Sequence, residues 1–108
     1  MTPEQKAVQA KFDVLAKVFL GRLPVRYEKM HAALALCRLD PAIDANWVEL
    51  HRLLHSLAGA AGSFGCDALG EQAGLIELLL EDLLGQKTRT AADVEEVARL
   101  LNIMQTAS

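Results

Sequence analysis

The apolar residues of this chain recur at intervals of three and four over nearly its whole length, and no other feature restricts its fold as much. That interval is the period of one helix face, whereas a half-buried strand needs sustained alternation, which is missing. Prolines stand only at Pro3, Pro24 and Pro41, leaving long stretches without that helix breaker. An all-α fold is predicted, with helices over about residues 3–21, 24–39, 46–62, 67–85 and 91–105. Thr2, Pro3 and Glu4 supply an N-cap, a first-turn proline and an acid that suits the helix dipole. Gly21 and Pro24 break or kink the chain before a second stripe of Tyr27, Met30, Leu34 and Cys37. Asp44 or Asn46 is expected to cap the third helix, with Trp47, Leu50, Leu54, Leu57 and Ala61 inward, and Gly62, Ser63 and Gly65 to end it. Asp67 is expected to cap the fourth, with Leu69, Ala73, Ile76, Leu80 and Leu83 inward and most leucines between Leu78 and Leu84 in the core. Thr90 and Asp93 have capping-box spacing ahead of Val94, Val97 and Leu101. Short connections between helices of this length make antiparallel neighbours. Helices two to five should therefore form an up-down-up-down four-helix bundle, with the additional N-terminal helix packed against one end.

At 108 residues the chain is read as a single domain spanning 1–108, able to bury a core without staples and too short for most complete metabolic enzymes. Two cysteines, Cys37 and Cys66, are too few for a disulfide scaffold, so a reducing, cytoplasmic setting is expected. Eleven basic residues against fourteen acidic ones give a formal charge of −3. No run of like charge offers a nucleic-acid footprint, and none is expected to bind. The longest unbroken apolar stretch, Ala32 to Cys37, is far below the roughly 18 residues of a membrane span, and the polar start from Met1 to Lys11 does not resemble an export signal.

The hairpin of helices three and four can be laid out on paper. If its turn centres near Cys66, residues whose numbers sum to about 132 lie at one height, since both helices rise about 1.5 Å per residue. His55 is then level with Glu77, and His51 with Glu81 one turn further from the loop. Each pair of like residues shares a helix face by the i, i+4 rule. Gly59, Gly62, Gly70 and Gly74 lie nearby, each costing about 1 kcal/mol against alanine, which suggests that something must approach the backbone there.

His55-Ser-Leu-Ala-Gly59-Ala-Ala-Gly62-Ser-Phe64-Gly65, followed by Ala73 and Glu77, resembles the signature of the histidine-containing phosphotransfer (HPt) domain of bacterial two-component phosphorelays. Phe19, Arg22, Leu23 and Pro24 also resemble the first-helix region of some members. The resemblance implies a phosphoacceptor at His55, an access glycine at Gly59, a tight turn from Gly62 to Gly65, and a glutamate at Glu77 that accepts a hydrogen bond from the histidine. It implies as partner a response-regulator receiver domain, a hybrid sensor histidine kinase, or both, and a carrier rather than an enzyme. In one respect the chain departs from the pattern: members often carry lysine three residues after the histidine, where Ala58 stands.

The chemistry asks for the same residues. An imidazole that accepts a phosphoryl group must be neutral at the attacking nitrogen, and a carboxylate on the other nitrogen's proton fixes the tautomer. Phosphoryl transfer otherwise depends on positioning and charge neutralisation. No cofactor is expected in the chain itself; magnesium is expected on the partner receiver domain. Arg52, three residues before His55, is the candidate to replace the missing lysine charge. His51, His31 and Arg52 also read as ordinary surface residues, and Glu81 as a solvated partner for His51. His51 and His55 have the spacing of a zinc pair, but the intervening Arg-Leu-Leu lacks the metalloprotease glutamate and no third ligand is spaced to help, so no metal site is expected. A monomer is expected. Two functional readings stay open: a phosphoryl carrier acting through His55, and a phosphate-independent helical interaction module, which the alanine at position 58 favours.

Overall fold

A computed structural model describes residues 1–107, and all regular structure among them is helical. The helices are α1 (Pro3–Gly21), α2 (Leu23–Leu39), α3 (Asp44–Ser63), α4 (Asp67–Leu84) and α5 (Ala91–Ala107). The chain is all-α, with α2 to α5 forming a closed four-helix bundle in which each helix packs beside the next and α5 returns to α2. Two polar links fasten that closing seam: Arg38 to Glu95, at 3.0 and 3.2 Å, and His31 to Gln105, at 2.8 Å.

The core is built from the predicted stripes. Trp47, Leu50, Leu54, Leu57 and Ala61 of α3 meet Leu69, Ala73, Ile76, Leu80 and Leu83 of α4, and α2 and α5 close over them with Met30, Leu34, Cys37, Val94, Val97 and Leu101. Met104 extends the α5 stripe by one turn. Among the leucines from Leu78 to Leu84, only Leu80 and Leu83 are buried; Leu78 faces solvent, because the consecutive run covers every side of the helix and only one side meets the bundle.

At the end of the N-terminal helix the structure shows the kink and not the break. Its junction with α2 is the single residue Arg22, whose N–H still reaches the carbonyls of Val18 and Phe19, so Gly21 and Pro24 bend one long helix rather than break it. Together α1 and α2 account for about 55 Å at 1.5 Å per residue, matching the 56 Å long axis of the molecule. Only the C-terminal part of α1 packs on the bundle: Phe19 is buried, and Phe12 and Phe19 meet Phe64, in the α3–α4 turn, at 5.6 and 5.3 Å. The first turns of α1 and its opposite face stand clear, with Val8, Val14 and Leu15 exposed.

Helix starts also differ. Thr2 caps α1 in a full capping box with Gln5, and Thr90 and Asp93 bond reciprocally at the start of α5. By contrast α3 begins at Asp44 after Ile43, and α4 at Asp67 after Cys66, with no side-chain cap in either case. Asp44 and Asp67 occupy the first helical position, where a carboxylate suits the dipole without capping, and Asn46 lies inside the helix.

Candidate functional site

The α3–α4 hairpin holds its two helices in fixed register through the turn between them. Cys66 N–H bonds to Ala61 O at 2.8 Å and Gly65 N–H to Gly62 O at 3.3 Å, with Gly65 at φ +74°. This is the paired hydrogen bonding of a Schellman turn, and its left-handed residue is the position glycine fills at least cost. Ser63, within α3, bonds its hydroxyl back to Gly59 O at 3.0 Å.

That register brings four polar side chains into one row across the hairpin. His55 Nδ1 lies 2.6 Å from Glu77 Oε2, and His51 Nε2 lies 3.1 Å from Glu81 Oε1 and 3.7 Å from Glu77 Oε2. The two imidazoles are nearly parallel, 6.3 Å apart. The Glu77 side chain is 17% exposed and that of His55 73% exposed, so a half-buried carboxylate holds an outward-facing ring. A carboxylate oxygen only accepts, so the Nδ1–H of His55 donates. In the neutral ring the lone pair then belongs to Nε2, the nitrogen left for chemistry.

The surroundings of the ring are open on one side. A Cβ added at Gly59, Gly62 or Gly74 would meet nothing within 4 Å; only at Gly70 would it touch α3, at 3.5 Å from Ala58 O and 3.6 Å from Ala61 Cβ. The glycines therefore do not all mark a close approach within the molecule. Gly70 alone does so, while Gly59 and Gly62 leave free surface around His55. Ala58 is half-buried against the core beside Gly70. Three residues along a helix is a rotation of about 300°, and from His55 that turns position 58 toward α4 rather than toward solvent.

Arg52 does not serve His55 directly. Its guanidinium grips Glu49 at 2.6 and 2.8 Å, and the same bonds hold the Glu49 carboxyl below its ordinary range. It lines a groove of about 420 Å³ between α2 and α3 together with Arg22, Arg26, Lys29 and Ser56. Arg26 crosses the groove to bond Ser56 Oγ at 3.3 Å and lies over the Phe19 ring. Four cations thus line the groove between α2 and α3, three of them from α2 or its junction with α1. The i, i+3 and i, i+4 spacing of Arg22, Arg26 and Lys29 puts them on one face, a signal present in the sequence and not used.

With this geometry in view, comparison with known proteins is decisive at the level of family. The Hpt domain profile matches residues 14–108, all of the bundle and the end of α1. The chain is a member of the Hpt domain family. Neither a curated protein nor a solved structure matches it. Hpt domains are histidine phosphotransfer modules, carriers rather than enzymes, and they work with receiver or kinase partners. The Hpt match begins inside α1, so the exposed first turns of that helix lie outside the matched part. No helix among the described residues is long and apolar enough to cross a membrane.

Proposed function

We propose that this Hpt domain accepts a phosphoryl group on His55 Nε2 from the phosphoaspartate of a response-regulator receiver domain, and returns it by the same route. The observation that carries the reading is the 2.6 Å bond from His55 Nδ1–H to half-buried Glu77, on a ring that is otherwise exposed. In the forward step Nε2 attacks phosphorus in line, the P–Nε2 bond forms as the P–O bond to the aspartate breaks, and the aspartate leaves as a carboxylate. The Nδ1 proton stays between the ring and Glu77, so the positive charge gained by the imidazole is held against a fixed carboxylate. Magnesium bound on the receiver would offset charge on the phosphoryl oxygens. The groove formed by Arg22, Arg26, Lys29 and Arg52 offers positive charge to the acidic rim of such a partner and takes over part of the work of the lysine missing at Ala58. Acting as a monomer in the cytoplasm, the domain needs only an exposed ring on a rigid helix.

The test is His55→Gln. The variant should fold with stability within about 0.5 kcal/mol of wild type, since the change is on the surface, and should take up no phosphoryl group from a panel of receiver domains charged with acetyl phosphate. An acid-labile, alkali-stable phosphoryl group on wild type and none on the variant is the expected result. Undiminished labelling of the variant would move the site, with His51 the first suspect. Lack of labelling of wild type by every receiver would favour the phosphate-independent interaction module.

A further inference from the structure

The row of side chains across the hairpin holds more ligands than His55 uses. One atom each from His51, Glu77 and Glu81 lies within 4.8 Å of the other two. A zinc ion with bonds of about 2.0–2.1 Å to nitrogen and oxygen, at tetrahedral angles, holds its ligand atoms about 3.3 Å apart. The separations from His51 Nε2, 3.1 Å to Glu81 Oε1 and 3.7 Å to Glu77 Oε2, bracket that value. The two ligands that must join His51 come from the facing helix, as carboxylates one turn apart. We propose that His51, Glu77 and Glu81 form a zinc site which shares Glu77 with His55, so that bound metal weakens the hydrogen bond that orients the phosphoacceptor ring.

Several features favour an ion here. Two carboxylates and a neutral imidazole bring a charge of −2, which a divalent cation cancels. A nitrogen-and-carboxylate set suits zinc better than the oxygen-seeking magnesium ion. Glu81, at 52% side-chain exposure, leaves an entry path, and a fourth position stays free for water. Glu77 is already tied to His55 Nδ1, the kind of outer hydrogen bond that orients a metal-binding carboxylate. Zinc would draw electron density from that carboxylate and make it a weaker acceptor for the Nδ1–H. The consequence for phosphoryl uptake rests on the role proposed for His55; the metal site itself does not.

The experiment is calorimetric titration of the intact domain with zinc chloride, alongside side-chain ¹⁵N NMR of the histidines. Wild type should bind one equivalent, with the largest shift at His51 Nε2 and a smaller one at His55 Nδ1. Glu81→Gln and His51→Asn should each weaken binding by at least about tenfold. Cys66→Ser should leave binding unchanged, because that free thiol stands about 16 Å away along α4. No binding by wild type, or binding that is lost with Cys66 and kept in Glu81→Gln, overturns the site. For the coupling, phosphoramidate serves as donor, its P–N bond breaking as the P–Nε2 bond forms and ammonia leaves, so no partner protein is present to bind the metal. Zinc should slow His55 labelling several-fold in wild type and leave Glu81→Gln unaffected. Zinc binding that shifts neither the His55 signal nor the rate overturns the coupling. If His55 takes no phosphoryl group at all, the calorimetry and the spectra still decide the metal site.

Discussion

Two polar clusters bridge different parts of this bundle, and they are finished to different degrees. At the end formed by the α2–α3 and α4–α5 connections, buried Arg89 donates to the carbonyls of Pro41, Ala42, Leu83 and Gln86, pairs with Asp44, and lies over the Trp47 ring. Trp47 Nε1–H joins it on Pro41 O at 2.9 Å. Cys37 nearby is sealed from solvent, and burial pushes its thiol up to about 11 although the Arg89 charge pulls the other way. Each of the three Arg89 side-chain nitrogens has a partner, so nothing is left over for a ligand. At His55 the opposite holds: one ring nitrogen is fixed by Glu77, and the other faces solvent beside glycines that leave room for a visitor. A saturated cluster holds loops together, and a half-satisfied one on the surface is available for chemistry.

The contrast is broken most severely at Glu77. Glu77→Gln keeps a polar group near Nδ1 but removes the charge that supports the imidazole as it gains positive charge. Phosphoryl uptake by His55 should fall by about 10² to 10⁴ and not vanish, because Glu77 forms no bond to phosphorus. Stopped-flow transfer from a charged receiver measures it. A wild-type rate would mean that the 2.6 Å bond only decorates the surface.

The mirror experiment removes Arg89. Arg89→Met fills similar volume and leaves several carbonyls short of a donor, at about 1 kcal/mol or somewhat more each for those that water cannot reach. The pair with Asp44 adds little, since that carboxylate side chain is 74% exposed and water screens it. A net loss of about 2–4 kcal/mol is expected, seen as a fall in Tm of roughly 10–20 °C for a domain of this length. The folded fraction should transfer phosphoryl groups at the wild-type rate. Loss of transfer at a temperature where the variant is folded would show that the two clusters communicate.

A smaller effect is expected at Gly59, one turn beyond His55 with open space where a side chain would go. Gly59→Gln should raise stability by up to about 1 kcal/mol, because glycine is a poor helix residue. The longer side chain should at the same time weaken receiver binding, read by titration with the receiver alone. Gained stability with unchanged binding would strip Gly59 of any part in access.

What was legible in the sequence follows from the same contrast. The inward stripes of α3 and α4 could be read because burial there is set by helical period, the excess of leucines expected in the core between Leu78 and Leu84 apart, and the pairing of His55 with Glu77 followed from helix rise and the position of one turn. Arg89 could not be found, since four of its partners are backbone carbonyls, in the α2–α3 connection, the last turn of α4 and the α4–α5 connection, which leave no mark in residue identity. Asp44 was visible as an acid at a helix start, but its bond to Arg89 was not. The orientation of Arg52 was undetermined for a related reason: Glu49, also three residues distant, competes for the same guanidinium. The basic groove required two helices to be placed side by side before its charges added up.

The smallest effect tests position 58, where the resemblance of the sequence implies a lysine. Ala58 is half-buried beside Gly70, so Ala58→Lys must lead its stem out past α4 before the ammonium reaches water near the phosphoryl oxygens. Crowding at that seam should cost up to about 1 kcal/mol of stability, the low end of what overpacking brings. In return the ammonium should favour phosphorylated His55, but an attraction at a solvated site is commonly worth less than about 1 kcal/mol, at most a several-fold shift in equilibrium. Raising the salt should erase it, because the Debye length falls from about 10 Å at 0.1 M to about 3 Å at 1 M. The phosphorylated fraction at equilibrium with one receiver, at both salt concentrations, measures the gain. A salt-sensitive gain means that the site accepts an added positive charge. No gain at low salt means that Arg22, Arg26, Lys29 and Arg52 already supply it, and charge-reversing Arg26→Glu should then lower the phosphorylated fraction in the same assay.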